Sequence, residues 1–218
     1  MSASETSDAE TSDAAAVSDS ERNPRIVLLR HGQTEWSELG KHTGRTDIPL
    51  SEVGEMQARR VASLVDTLGL RAPLIVSSPR LRAHRTAGLA GLRVNRTWDA
   101  LAEWDYGKYE GRTTPEIRES VPDWTVWTHP CPGGESAEDI HSRCDLVLSV
   151  AQSQLAEHDV VLVGHGHFSR ALISRWIDLP VSEGRRFALS PAGLSILGFE
   201  HGARQVISHN IVRQEELA

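Results

Sequence analysis

The chain has 218 residues, a formal net charge of -7 and two cysteines, the size of one domain with a small appendage. No run approaches the ~18 apolar residues of a membrane span, and no basic apolar leader or Arg-rich amphipathic stretch points to export or organelle targeting. A cytoplasmic protein with no membrane partner is therefore expected.

Six acids against one base give residues 1–22 a charge of -5, and this Ser-, Thr- and Ala-rich stretch has too little apolar surface to offset the entropy of ordering. It reads as a disordered acidic tail whose serines beside acids admit phosphorylation or partner docking. The body, taken as residues 23–210 with a short C-terminal tail at 211–218, is close to neutral, and no nucleic-acid partner is expected.

Ile26–Leu29 is an unalternating apolar run, the pattern of a strand buried on both faces. A Gly- and Thr-rich loop leads to Ser51, which caps a helix with apolar Val53, Met56, Val61, Leu64, Val65 and Leu68 at spacings of three, four and seven. Gly69 ends it. Leu74–Val76 is a short buried strand, and Ser78-Pro79 reads as an N-cap with proline at the first position of a helix reaching Ala90. A strand at Leu92–Val94 follows, then an irregular loop at Leu101–Gly111, a helix opening at Pro115, and Trp124 and Trp127. Glu135–Glu157 is a long helix with Ser136 and Asp139 at capping-box spacing. Asp159–Val163 is a second buried strand, Phe168–Ile177 a helix, and Leu194–Phe199 and Gln205–Ser208 the last strands.

Strand and helix alternate, so the expected fold is a single-domain three-layer α/β/α sandwich with a mostly parallel sheet. Residues 101–134 would form a helical and loop cover over its edge. Cys144 falls on the apolar stripe of the long helix and Cys131 in a Pro-Cys-Pro-Gly-Gly loop, neither suggesting a disulfide. An exposed strand edge would allow a homodimer.

Chemistry concentrates at two His-Gly steps, Arg30-His31-Gly32 and Gly164-His165-Gly166-His167, each at the end of an apolar strand, where open α/β sheets bind ligands. Arg30, at the end of a buried run, is costly to desolvate unless it meets an anion. Arg82 sits in the first turn of a helix, against the helix dipole, and an oxyanion held there would explain it. Arg80 and Arg85 read as solvated or paired surface charges. Glu103, flanked by Trp104, is the first choice for a carboxylic acid able to deliver a proton to a leaving oxygen, and Asp105 the second.

These residues carry a resemblance. Arg30-His31-Gly32-Gln33-Thr34-Glu35-Trp36, Thr43-Gly44, Ser78-Pro79 with Arg82-Ala83 and Thr86-Ala87, Glu103 with Tyr106-Gly107 and Glu110-Gly111, Gly134-Glu135-Ser136 and Gly164-His165-Gly166 resemble, in order, the histidine phosphatase superfamily, also called phosphoglycerate-mutase-like. The resemblance implies that His31 attacks phosphorus to form a phosphohistidine, that Arg30, Arg82 and His165 neutralise the equatorial oxygens, and that Glu103 is the acid and then the base. It further implies a pocket lined by Gln33, Thr34, Thr43, Gly44, Tyr106 and Gly166, a small phosphate ester as substrate, and no metal or other cofactor.

Within that superfamily, 2,3-bisphosphoglycerate-dependent mutases carry an arginine where Trp104 stands, followed by a basic stretch that grips a second anion. This chain has no Arg-Arg pair between Glu103 and the long helix. It looks more like the acid phosphatases and sugar-bisphosphate phosphatases, with Trp104, Trp124 and Trp127 forming an apolar pocket wall. The mutase and the sugar-bisphosphate phosphatase are the alternatives to an acid phosphatase-like phosphomonoesterase.

Overall fold

The structure, a computed structural model, describes residues 24–213. The acidic tail and residues 214–218 lie outside it. A six-stranded sheet has the order β3-β2-β4-β1-β5-β6, formed by β1 (Ile26–Arg30), β2 (Leu74–Ser77), β3 (Arg96–Thr97), β4 (Val160–Gly164), β5 (Leu194–Glu200) and β6 (Ala203–Ile211). The pairs β3-β2, β2-β4 and β4-β1 are parallel, and β1-β5 and β5-β6 antiparallel.

The apolar run of β1 is explained by helices on both sides. Ile26 and Leu28 pack in the core shared with α5 (Ala137–Ser153) and α6 (Gly166–Trp176), while Val27 and Leu29 pack in the core shared with α2 (Glu52–Thr67) and α3 (Leu81–Leu89). All four are at most 1% exposed, each burial stabilising the fold by roughly 1.5–3 kcal/mol. This is the three-layer sandwich that strand and helix alternation implies. The short α1 (Glu35–Glu38) and α4 (Thr114–Arg118) and the loops of residues 101–134 cover the sheet's carboxyl edge.

Local signals set several boundaries. The Ser51 side chain accepts from the Gly54 N–H at the start of α2, and Ser136 and Asp139 form the capping box of α5. Thr113 and Glu116 form another at α4, placing Pro115 at the second helical position. Three expectations need correction. Ser78 does not cap α3, because its hydroxyl is taken by His165; Arg80 occupies the cap position and the Leu81 N–H is met instead by Asp47 at 2.9 Å. The strand expected at Leu92–Val94 forms at Arg96–Thr97, because Leu92 bonds back to Ala87 and Asn95 starts the pairing by exchanging hydrogen bonds with Ile75. Finally, α6 starts at Gly166, two residues early, so its N-terminus opens directly after His165.

One close approach fixes the loop after β1 against α2. A Cβ on Gly32 would lie 2.3 Å from the Gly54 carbonyl oxygen, and one on Gly54 only 2.0 Å from that of Gln33. Backbone on both sides cannot yield as a side chain can. Gly54→Ala is therefore expected to destabilise the protein by about 1–3 kcal/mol, seen as a lower urea midpoint at unchanged slope.

Candidate active site

Strands β1 and β4 are parallel neighbours with Arg30 opposite Gly164, so the residues that follow emerge side by side. The His31 N–H donates to the Gly164 oxygen at 2.9 Å, and the His31 and His165 rings meet edge to face with centroids 5.3 Å apart. Both rings are buried, His165 completely. His31 Nδ1 lies 2.7 Å from the Gly32 carbonyl oxygen. A carbonyl only accepts, so Nδ1 carries the proton and Nε2 keeps its lone pair.

Ser78 holds the second ring through a hydroxyl that can donate or accept. Its Oγ accepts from the Arg80 N–H at 3.4 Å and stands 2.7 Å from His165 Nε2, while His165 Nδ1 is buried without a partner. When the serine hydroxyl donates to Nε2, Nδ1 carries the ring's proton and is a bare donor. Ser78→Ala is expected to lower kcat/KM about tenfold, and to move the acid limb of the pH–rate profile to higher pH, since a donor onto Nε2 favours the neutral ring. Ser78→Thr should keep both.

Arginines converge on this pair. Arg82 is fully buried and tethered through its terminal nitrogens to the Thr46 and Thr43 carbonyls at 2.9 and 3.0 Å. Arg30 donates to the Leu189 carbonyl, and a Cβ on Gly166 would come within 3.3 Å of its guanidinium. The Nε atoms of both arginines are buried and unpartnered. Glu103 faces them from the start of α6: Oε1 accepts from the Trp104 and Phe168 N–H groups at 2.9 and 2.8 Å, and Oε2 from that of His167 at 2.9 Å. A cavity of about 250 Å³ is lined by Arg30, His31 and Glu103, among others. Among the described residues, no three His, Cys, Asp or Glu side chains are placed to hold a metal ion.

A family model, the histidine phosphatase superfamily (branch 1), matches residues 26–212. The chain belongs to that superfamily. It is 53% identical over 185 residues to an acid phosphatase of Mycobacterium tuberculosis, covering 85% of this chain and 91% of that one. It is also 34% identical over 190 residues to a sedoheptulose 1,7-bisphosphatase of Saccharomyces cerevisiae, covering 73% and 70%. The solved structure of an open reading frame product from Mycobacterium tuberculosis superposes with a TM-score of 0.86 at 51% identity, over 88% of this chain and 99% of that one. The enzyme is a phosphatase with the single-domain α/β fold of these proteins.

Of the phosphatase residues expected around the substrate, Thr43, Tyr106 and Gly166 line the cavity. Gln33, Thr34 and Gly44 are not among its lining residues: Gln33 contacts Ser51, Thr34 caps α1, and the Gly44 N–H donates to both Glu110 oxygens. Asp105 is held by Arg45 and the Gly107 N–H. Arg85 pairs with Glu55, whereas Arg80 is a correction, being half-buried with its Nε enclosed and unpartnered. The tryptophans are not the pocket wall; they stand one layer back, Trp124 against His42 and Trp127 against His167, at ring separations of 5.2 Å, with the Trp104 indole bonded to the Glu135 carbonyl. Sequence reasoning passed over Lys41, His42, His167 and Arg170, which line the cavity. His167 had a signal, two places beyond His165 in the same motif; the others had none.

Burial shifts the phosphatase's histidines together. His31 is held well below the ordinary value of 6.5 by desolvation, then by the charges of Arg82 and Arg30. His165 and His167 are lowered well below it as well, both mainly by burial, and burial brings His42 to about 4 against the opposing charge of Glu110. The imidazoles thus stay neutral in acid, and His31 keeps its lone pair there. Below pH ~6.5 the unfolded chain binds protons that the folded one refuses, so stability declines as pH falls from there through about 4. Urea midpoints measured across that window should fall, and less steeply for His42→Gln.

Proposed function

We propose that the protein is a metal-independent, acid phosphatase-like phosphomonoesterase that cleaves small phosphorylated metabolites through a phosphohistidine. One observation carries this reading. The Nδ1–H of His31 is fixed on the Gly32 carbonyl, leaving a neutral Nε2 lone pair that feels the charges of Arg82 and Arg30 and stands beside the His165 ring, whose Nδ1 is buried without a partner. His31 Nε2 attacks phosphorus as the P–O ester bond breaks, and the two guanidiniums and His165 stabilise the charge on the equatorial oxygens.

Glu103 supplies the proton. Its Oε1 already accepts two N–H bonds and Oε2 only one, so Oε2 is the oxygen that carries the transferable proton to the leaving alkoxide. The resulting carboxylate takes a proton from water, whose oxygen displaces His31 from phosphorus and releases phosphate. The positive charge comes from fixed guanidiniums, which do not deprotonate at any working pH. The likeness to an acid phosphatase supports the reaction class, and the neutral state of His31 in acid supports an acid working range.

The test is phosphate release from aryl and alkyl monoesters across pH 5–8 with EDTA present. Release that persists in EDTA and vanishes in His31→Ala is expected. Release that survives His31→Ala, or that EDTA abolishes and a divalent cation restores, would overturn the reading.

A further inference from the structure

Three N–H groups hold the Glu103 carboxylate, yet its main chain lies in residues 102–106, which belong to no helix or strand. One of those three donors, Trp104, is part of the same irregular stretch. Something else must fix where the chain presents the carboxyl group.

Arg143, on α5, does not line the cavity, and all five of its N–H bonds are taken. Nη1 donates to the Ala100 and Ala102 carbonyls at 3.1 and 2.7 Å, and Nη2 to the Glu103 carbonyl at 3.4 Å. Nε and Nη2 donate to the two oxygens of Glu135 at 2.8 and 2.7 Å. Glu135 Oε2 in turn accepts from the Asp105 N–H at 2.9 Å, and the Glu135 N–H donates to the Asp105 carbonyl at 2.9 Å. The pair therefore brackets Glu103 along its main chain, from the residues before it to the second residue after it. The same guanidinium carbon lies 4.0 Å over the Phe168 ring, and the Phe168 N–H donates to Glu103 Oε1 at 2.8 Å. One side chain thus fixes both the main chain of Glu103 and the helix start that holds its carboxylate.

Stability is a poor account of this arrangement. An ion pair whose side chains are only 15% and 23% exposed is costly to desolvate, and apolar side chains of similar volume are often as stabilising. What the guanidinium fork supplies and an apolar side chain cannot is direction. Proton transfer needs it, because a carboxyl oxygen must lie within hydrogen-bond reach of the leaving oxygen, and a misplacement of ~1 Å can cost about a hundredfold in rate.

We propose that Arg143, together with Glu135, is a positioning residue that sets Glu103 Oε2 where it can protonate the leaving oxygen. Both act through the main chain of Glu103 and neither lines the cavity. The inference rests on the reading of Glu103 as the proton donor.

The experiment measures kcat/KM of the full-length enzyme for glycerol 3-phosphate, whose alkoxide needs a proton to leave, and for 4-nitrophenyl phosphate, whose phenolate does not. The fraction of folded enzyme cancels in the ratio of the two, so a loss of stability alone cannot move it. Arg143→Met is expected to lower the alkyl-to-aryl ratio about ten- to a hundredfold, and Glu135→Gln, which leaves an acceptor for the Asp105 N–H, to lower it by less. In a Glu103→Gln background Arg143→Met should leave the ratio where Glu103→Gln has put it, since no proton remains to be aimed. An unchanged ratio in Arg143→Met, or in Glu135→Gln where Arg143→Met fails to fold, overturns the proposal. So does a further drop of the same size in the double variant. If Glu103→Gln moves the ratio in those cases, the reading of Glu103 stands and only the positioning role falls. A ratio that Glu103→Gln itself does not move overturns both.

Discussion

Replacing His31 by alanine is expected to lower kcat at least about ten-thousandfold, a barrier increase of ~5 kcal/mol. The size follows from what the remaining groups can do alone. Arg30, Arg82 and His165 would still gather the phosphoryl oxygens, but water would have to attack an ester whose leaving group is poor, with no nitrogen to divide the displacement into two easier steps. Unmodified enzyme quenched during turnover should carry phosphate on His31, labile in acid and stable in alkali, and the variant should carry none. The substitution removes a ring whose only hydrogen bond among the described residues is to the adjacent Gly32 carbonyl, so folding is not expected to suffer, and an unchanged urea midpoint checks this. A phosphoenzyme persisting in His31→Ala would transfer the role to another nucleophile.

The convergence of the candidate site residues was legible in the sequence because they end strands. An apolar run buried on both faces announces β1 and β4, and the rule that open α/β sheets bind ligands at their carboxyl edge places His31 and His165 together. Parallel pairing of β1 with β4 then does the rest. The substrate end was less legible, since Lys41, His42, Thr43 and Arg170 come from loops and a helix whose convergence depends on tertiary packing. Arg170 in particular looks in sequence like any arginine on a helix; only its position one turn past Gly166, with Trp127 behind it, gives it a direction.

Ser78 shows how a local rule fails at the candidate site. Ser-Pro is a sound helix start, yet the hydroxyl is worth more on His165 Nε2, and Asp47 from a distant loop meets the helix N–H instead. Trp104 illustrates the same limit: an aromatic neighbour suggested that Glu103 is shielded by its ring, whereas the indole turns to Glu135 and Glu103 is held by backbone N–H groups at the start of α6.

Glu103→Gln is expected to separate the two halves of the reaction. For alkyl phosphates, whose alkoxide needs a proton as it leaves, kcat/KM should fall by about a hundred- to ten-thousandfold. For 4-nitrophenyl phosphate, whose phenolate leaves unprotonated, the first step should fall far less. Water attack on the phosphohistidine has lost its base for both substrates, so the phosphoenzyme should accumulate and appear as a burst of nitrophenolate followed by slow turnover. Glutamine also sets its amide N–H₂ against the N–H of His167 or of Trp104 and Phe168, a donor-to-donor contact costing ~1–3 kcal/mol, which the urea midpoint reads independently of the burst. Equal losses on alkyl and aryl esters without a burst would remove Glu103 from proton transfer and leave it as the anionic cap of α6, a role that its three N–H bonds fill by themselves.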